Sequence, residues 1–130
     1  MANAAVEAML GSTRSFAVAA AGCGKTELLG QLVADPRSGR QLVLTHTHAG
    51  VAAIKKRLAD MRVPHDKFHL DTIAGWCLRY GAAYPAISGV QSDVEEHEID
   101  WKRLTLQVYA GAAKVCSSTL GKRVLNASYD

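Results

Sequence analysis

The chain has 130 residues, of which 48% are hydrophobic and 21% are charged; these values are typical of a globular protein and exclude a disordered or collagen-like chain. Its formal net charge of +3 permits a polyanionic partner but does not require one. The sequence has no apolar run long enough for a membrane helix, and its three scattered cysteines favour reduced thiols in a cytoplasmic protein with no membrane attachment.

The hydrophobic pattern predicts alternating strands and helices in the first part of the chain. Residues 15–20 (SFAVAA) form a short apolar run that ends at glycines, which predicts a buried strand. Apolar residues four positions apart predict a helix over 25–34. The remaining elements predicted up to residue 80 are a short helix within 1–13, a strand at 41–45, a helix with Val51, Ile54 and Leu58 on one face, a loop at 61–66, a strand at 68–70 and a helix at 72–80.

The last third of the chain is predicted to be mainly helical. Pro85 and its neighbouring glycines predict a loop over 81–92, an apolar stripe from Trp101 to Val115 predicts a helix, and a last short helix is expected around 120–125. Alternating strands and helices indicate an α/β fold with a small parallel sheet flanked by helices. We therefore expect one domain or part of one, with an α/β core over 1–80 and a helical segment over 81–130.

The segment AAAGCGKT (residues 19–26), here called the glycine-rich loop, follows a predicted strand and opens a predicted helix, as a Walker A motif does. Gly22 and Gly24 allow backbone dihedrals that let N–H groups converge on a phosphate at the positive end of the helix dipole. Lys25 supplies a cation for the β- and γ-phosphates, and the Thr26 hydroxyl is a Mg²⁺ ligand. The predicted site for ATP and Mg²⁺ comprises Ala21, Gly22, Cys23, Gly24, Lys25 and Thr26.

Two features of the glycine-rich loop leave alternatives open. Ala19 replaces the first glycine of the Walker A pattern, and a glycine-rich turn can simply cap a helix. Cys23 is placed where a helix N-terminus can make a thiol reactive. Because the sequence offers no resolving thiol nearby, we favour a small residue that fills a tight turn.

Two further segments follow the loop, LVLTHTHAGVAAIKKRL at 42–58 and DTIAGWCLRY at 71–80. Together with FAVAAAGCGKT at 16–26, they resemble motifs Ia, Ib and Walker A of the UvrD/Rep-type superfamily 1 DNA helicases. VLNASYD at 124–130 is similar to the family segment that leads into the Walker B strand. The resemblance implies a P-loop fold, ended before the Walker B strand, from the N-terminal ATP-binding part of a motor that moves along single-stranded DNA.

The family resemblance also implies residues that contact DNA, because the end of the second strand and the following helix line the DNA track in these helicases. His46 occupies a position that is usually aromatic, and Ala74 replaces a common histidine of motif Ib. Trp76 is either a stacking platform for a base or a core anchor, and we favour the core because tryptophans at helical spacing usually pack inside. The implied DNA contacts are Thr45, His46, Thr47, Thr72 and Trp76.

Several family features do not occur in this sequence. No glutamine precedes Ala19 to read adenine, no apolar run ends in Asp-Glu as a Walker B strand does, and the later motifs with their arginines are absent. Hydrolysis needs a carboxylate that holds the metal and a group that orients water. We therefore expect this chain to bind ATP–Mg²⁺ without hydrolysing it or unwinding DNA, and to self-associate through an incomplete sheet.

Other constellations have simpler explanations. His46 and His48, with His65 or His69, could hold a metal, but they lack a carboxylate or thiol at ligand spacing. The basic run 55–57 is either a solvated helix face or a contact for nucleic-acid phosphates, and the acidic run 93–100 suits an exposed helix start. The competing functions are a non-catalytic nucleotide-binding or interaction module and another P-loop enzyme, such as a small kinase.

Overall fold

The computed structural model describes residues 3–22, 24–90 and 101–130. Its two strands, β1 (Gln41–Thr45) and β2 (Phe68–Thr72), pair in a parallel sheet. The helices among the described residues are α1 (Ala4–Leu10), α2 (Lys25–Ala34), α3 (His48–Asp60), α4 (Ile73–Ala83), α5 (Pro85–Ser88), α6 (Trp101–Ser117) and α7 (Thr119–Ser128). The predicted α/β class with a small parallel sheet is therefore confirmed, and most of the structure is helical.

The chain divides into two compact units. The first unit is drawn from Met1–Val43, Ala49–Leu70 and Tyr129–Asp130, and the second from Leu44–His48 and Asp71–Ser128. The glycine-rich loop belongs to the first unit, whereas the residues of motif Ib belong to the second.

The core of the first unit is built from the predicted apolar faces. Val33 of α2, Val43 of β1 and Leu58 of α3 are buried together with Val63. Helices α2 and α3 approach closely at Gly30, where an added Cβ would lie 2.7 Å from the Met61 sulfur. Burial of these side chains removes apolar surface from water, which is the main stabilising contribution to a fold of this kind.

A network around Arg37 joins α1 to the turn that follows α2. The Arg37 guanidinium donates to both carboxylate oxygens of Glu7, at 3.0 and 2.7 Å, and to both oxygens of Asp35, at 2.9 and 2.8 Å. These hydrogen bonds lower the pKa of Asp35 to about 2 and also lower the pKa of Glu7. Both carboxylates therefore stay ionised and paired at neutral pH.

The second unit packs α4, α5, α6 and α7 together. Val108, Ala112 and Val115 are buried on one face of α6, as the apolar stripe predicts. The Trp76 ring stacks on Tyr80 with centroids 4.8 Å apart, and the Tyr80 hydroxyl donates to the carbonyl of Gly121 at 2.8 Å. These contacts tie α4 to α7.

The predicted strand at residues 15–20 is wrong. The segment has no regular secondary structure, and its two largest apolar side chains, Phe16 and Val18, are 91% and 83% exposed. Its other apolar residues are alanines, which have low strand propensity and little surface to bury. In the described part of the chain, the sheet consists of β1 and β2 alone, and this segment pairs with neither of them.

The predicted loop over 81–92 is also wrong in part. Helix α4 continues to Ala83, and Pro85 opens the short helix α5. Proline suits the first turn of a helix because its missing N–H would have no helical partner there. Gly89 ends α5 with a φ of 71°, and residues 91–92 lie outside the described ranges.

Candidate nucleotide-binding site

The glycine-rich loop has the backbone conformation that its glycines predict. Gly22 has a φ of 79° and Gly24 a φ of 83°, both in the left-handed region that residues with a Cβ rarely adopt. Among the described residues, no atom lies within 4 Å of the position that a Gly22 Cβ would take. The need for glycine therefore comes from the backbone angle and not from crowding, and this prediction is confirmed.

Helix α2 begins directly after the second glycine. Gly24 is the N-cap residue and gives the helix no side-chain cap, while its carbonyl accepts from the Leu28 N–H at 2.9 Å. The first N–H groups of an α-helix have no partner within the helix, and they carry the positive end of the helix dipole. The N-terminus of α2 can therefore stabilise an anion at the loop.

Lys25 and Thr26, the two predicted phosphate and metal ligands, are exposed in the first turn of α2. The Lys25 ammonium donates to the Ala19 carbonyl at 2.8 Å, so its side chain reaches back across the loop. Ala21 is also exposed, whereas Cys23 lies outside the described residues. The described part of the predicted site is thus accessible to a ligand.

Sequence reasoning missed an ion pair beside the loop. Glu27, in the first turn of α2, pairs with Arg57 of α3 and accepts from the Gln31 amide at 3.2 Å. Arg57 lies thirty residues from Glu27 in the chain, whereas Gln31 lies one helix turn away. The sequence gives no signal that Arg57, and not the neighbouring Lys55 or Lys56, forms this pair. The pairing offsets the negative charge of Glu27, the residue that follows the loop in the chain, which favours an anionic ligand there.

The three residues of the basic run 55–57 therefore differ in their surroundings. Arg57 turns toward Glu27, whereas Lys55 and Lys56 are exposed. From the sequence, this run was interpreted either as a solvated helix face or as a contact for nucleic-acid phosphates. The structure instead separates Arg57 from the two lysines.

The residues assigned to DNA contact by resemblance are found in the second unit. Thr45 ends β1 and is followed by the exposed His46 and Thr47, and Thr72 ends β2. The carboxyl ends of neighbouring parallel strands lie at one edge of a sheet, so Thr45 and Thr72 share that edge. The structure thus places Thr45 and Thr72, two of the residues that the resemblance implies for DNA contact, at the same edge of the sheet.

Thr72 and Trp76 also have structural roles. The Thr72 hydroxyl caps α4 by accepting from the Gly75 N–H at 3.0 Å. Trp76 is 8% exposed and stacks on Tyr80, which favours the core alternative for this residue. A buried indole offers little surface on which a base could stack.

Three further expectations concern metals, membranes and the acidic run. The described residues contain no group of three or more His, Cys, Asp or Glu side chains that could hold a metal ion. None of the helices described here combines the length and apolar character needed to cross a membrane. The acidic run 93–100 lies outside the described ranges.

Compared with known proteins, the chain matches no protein-family model, no curated protein and no solved structure. The likeness to superfamily 1 helicases therefore rests on the residues of this chain, above all on the glycine-rich loop and the helix that follows it.

Proposed function

We propose that the glycine-rich loop binds the phosphates of ATP together with Mg²⁺, as the N-terminal nucleotide-binding segment of an ATP-dependent single-stranded-DNA translocase or helicase. The observation that carries this proposal is the pair of left-handed glycines immediately before a ten-residue helix that opens with Lys25 and Thr26. A phosphate loop needs this combination of backbone freedom, exposed N–H groups, a mobile cation and a hydroxyl.

Each residue has a defined role in the proposal. The N–H groups at the start of α2 hold phosphate oxygens, and the Thr26 hydroxyl is a ligand for Mg²⁺. Lys25 exchanges its bond to the neutral Ala19 carbonyl for a bond to a charged phosphate oxygen. This exchange is favourable because charge-assisted hydrogen bonds are about twice as strong as neutral ones.

The chain is proposed to hold ATP without turning it over. Hydrolysis requires a carboxylate on the metal and a residue that orients the attacking water. Glu27 is the acidic residue next to the loop, and it is already engaged by Arg57 and Gln31. Nucleotide binding and the absence of turnover are therefore expected together.

The test is a calorimetric titration of the 130-residue chain with ATP and Mg²⁺. Lys25→Ala is expected to weaken binding about tenfold to a hundredfold, since a hydrogen bond to a charged group contributes about 1.5–3 kcal/mol. The matched control is Lys56→Ala, which removes an exposed lysine outside the loop. The proposal fails if the unmodified chain binds no ATP at millimolar concentration, or if the two variants lose affinity equally.

The DNA part of the proposal has its own test. His46 and Thr47 are exposed at the end of β1, where an imidazole can stack on a base and a hydroxyl can donate to a phosphate. His46→Ala is expected to weaken binding of a single-stranded oligonucleotide, and binding is expected to fall as salt rises. Affinity that is independent of salt would contradict contacts to the DNA backbone.

A second candidate, an interaction module that acts without a nucleotide, is favoured by the exposed segment at 15–20. Phe16 and Val18 place two large apolar side chains in water, and another protein that covered them would remove this apolar surface from water. If this function holds, Phe16→Ser changes the association state seen by light scattering, while ATP produces no heat in calorimetry. The two candidates therefore give opposite results with ATP.

A further inference from the structure

A basic pocket of about 240 Å³ lies in the first unit, apart from the glycine-rich loop. Four nitrogen-bearing side chains line it, and they come from four different segments: Arg40 precedes β1, Lys55 belongs to α3, His65 to the short 3₁₀ helix before β2, and His69 to β2. This convergence is not visible in the sequence, where the four residues are spread over thirty positions.

The lining has a simple chemical character. Its polar side chains are all basic, and none of the residues that line the pocket in the described chain is acidic. Val51, Phe68 and Leu70 complete the lining and are half-buried, so they give the pocket an apolar floor.

Tyr129 holds two of the basic side chains in place. The Arg40 guanidinium lies 5.6 Å from the centre of the Tyr129 ring, and the Tyr129 hydroxyl is 2.6 Å from Nδ1 of His69. The backbone beside the pocket is also fixed, because the Asp130 N–H donates to the Arg40 carbonyl at 2.8 Å and the Arg40 N–H donates to the Asp130 carboxylate at 2.7 Å. A site ordered in advance loses less entropy when a ligand binds.

We infer that this pocket binds a phosphomonoester group whose carrier has a small apolar or aromatic part. Arg40 can form a forked pair of hydrogen bonds with phosphate oxygens, and Lys55 adds a point charge. The apolar floor suits the carrier. The volume lies below the roughly 300–1,000 Å³ of typical ligand pockets, which favours one phosphoryl group over a triphosphate.

The inference does not depend on the proposed function. No pocket residue belongs to residues 19–26, so a variant of one site leaves the other intact. The phosphate can come from two sources, the phosphorylated end of a nucleic acid or a small phosphorylated metabolite. Both sources present the same group to Arg40 and Lys55.

In the first experiment, the 130-residue chain is titrated with phenyl phosphate. Calorimetry measures the affinity, and the NMR shifts of the backbone amides locate the binding site. The largest shifts are expected at His69 and Leu70. Arg40→Ala and Lys55→Ala are each expected to raise the dissociation constant about fivefold to tenfold. Methyl phosphate is expected to bind more weakly than phenyl phosphate, because it cannot cover the apolar floor.

A matched variant makes the result specific. Lys56→Ala removes an exposed lysine next to Lys55 that does not line the pocket, and it should leave affinity within twofold. Circular dichroism verifies that each variant is folded. The inference is overturned if phenyl phosphate does not bind, or if Lys56→Ala weakens its binding as much as Lys55→Ala.

The second experiment identifies the source of the phosphate. A single-stranded oligonucleotide with a 5′-phosphate is compared with the same strand carrying a 5′-hydroxyl, and ribose 5-phosphate is titrated in parallel. A preference for the phosphorylated strand that Arg40→Ala removes supports a nucleic-acid end. Tight binding of ribose 5-phosphate that Arg40→Ala weakens supports a free metabolite, and no preference in either arm contradicts a phosphomonoester site.

Discussion

The Lys25 ammonium donates a hydrogen bond to the carbonyl of Ala19 at 2.8 Å, which links the helix start to the beginning of the glycine-rich loop. Both residues are outside the apolar core of the first unit, and Lys25 is exposed. The bond therefore keeps the lysine over the loop while contributing little to the folded state, because water competes for both groups.

This relationship separates a binding role for Lys25 from a structural one. Lys25→Ala is expected to change the free energy of unfolding by less than about 0.5 kcal/mol, as exposed substitutions usually do, while it weakens ATP binding. Urea denaturation and calorimetry of the same sample measure the two quantities. A loss of stability above about 1 kcal/mol would mean that Lys25 supports the fold instead.

Gly24 is required for its backbone angle, and replacements should rank by their tolerance of that angle. Its φ of 83° lies in the left-handed region, and among the described residues other than its chain neighbours a Cβ there would meet the Glu27 Cβ alone, at 4.0 Å. Gly24→Val is expected to lower the free energy of unfolding by about 1–2 kcal/mol, and Gly24→Asn by less, since asparagine adopts this region more readily. If Gly24→Val and Gly24→Asn lower the free energy of unfolding equally in urea denaturation, the backbone angle of Gly24 is not the cause of the lost stability.

Gly75 lies in the first turn of α4 and is enclosed by its cap. A Cβ at this position would lie 2.8 Å from the Thr72 hydroxyl and 2.9 Å from a carboxylate oxygen of Asp71. Alanine favours a helix over glycine by about 1 kcal/mol, but the collision should outweigh this gain and lower stability by about 1–2 kcal/mol.

The matched control for Gly75→Ala is Gly81→Ala in the same helix. An added Cβ at Gly81 lies 3.4 Å from a Val90 methyl group, a contact that a small side-chain shift relieves. Gly81→Ala should therefore be close to neutral in thermal unfolding. If Gly75→Ala and Gly81→Ala change the unfolding temperature equally, crowding at the α4 cap is not the cause of the lost stability.

Periodic apolar patterns predicted α2, α3 and α6, and short apolar runs predicted both strands of the sheet, whereas α5 falls in a segment that was predicted as a loop. Val51, Ile54 and Leu58 recur at helical spacing and lie on α3, and the stripe that ends at Val115 lies on α6. Strand propensity is less decisive, because a strand also needs a partner. Phe16 and Val18 are exposed although they lie in an apolar run, because their segment does not pair with the sheet, and local sequence does not contain this information.

The candidate sites differ in how far sequence could predict them. The glycine-rich loop is local, so its motif and its positive φ angles could be predicted from consecutive residues. The Glu27–Arg57 pair and the pocket around Arg40 form between segments distant in the chain. Such sites depend on tertiary packing, which spacing along one sequence does not encode.

The pKa of Asp35 provides a test of the Arg37 network. Hydrogen bonds from Arg37 lower this pKa from 3.8 to about 2, so the ionised carboxylate favours the folded state. The resulting stabilisation is present above the ordinary pKa and is lost as the pH falls toward 2. In the Arg37→Gln variant, the pKa of the Asp35 carboxyl, measured by NMR titration, should rise to about 4. If this pKa stays unchanged in the variant, a group other than Arg37 lowers it.

The two described cysteines should react slowly in the folded chain. Cys77 is 9% exposed, Cys116 is partly buried, and burial raises the pKa of both thiols. Since the thiolate is the nucleophile, a raised pKa leaves less of the reactive form at pH 8. A Cys23→Ser variant, which keeps only these two thiols, should react with a disulfide reagent about tenfold more slowly when folded than in guanidinium, given the pKa shift and the restricted access. Equal rates in the two conditions would show that α4 and α6 open readily enough to expose the thiols.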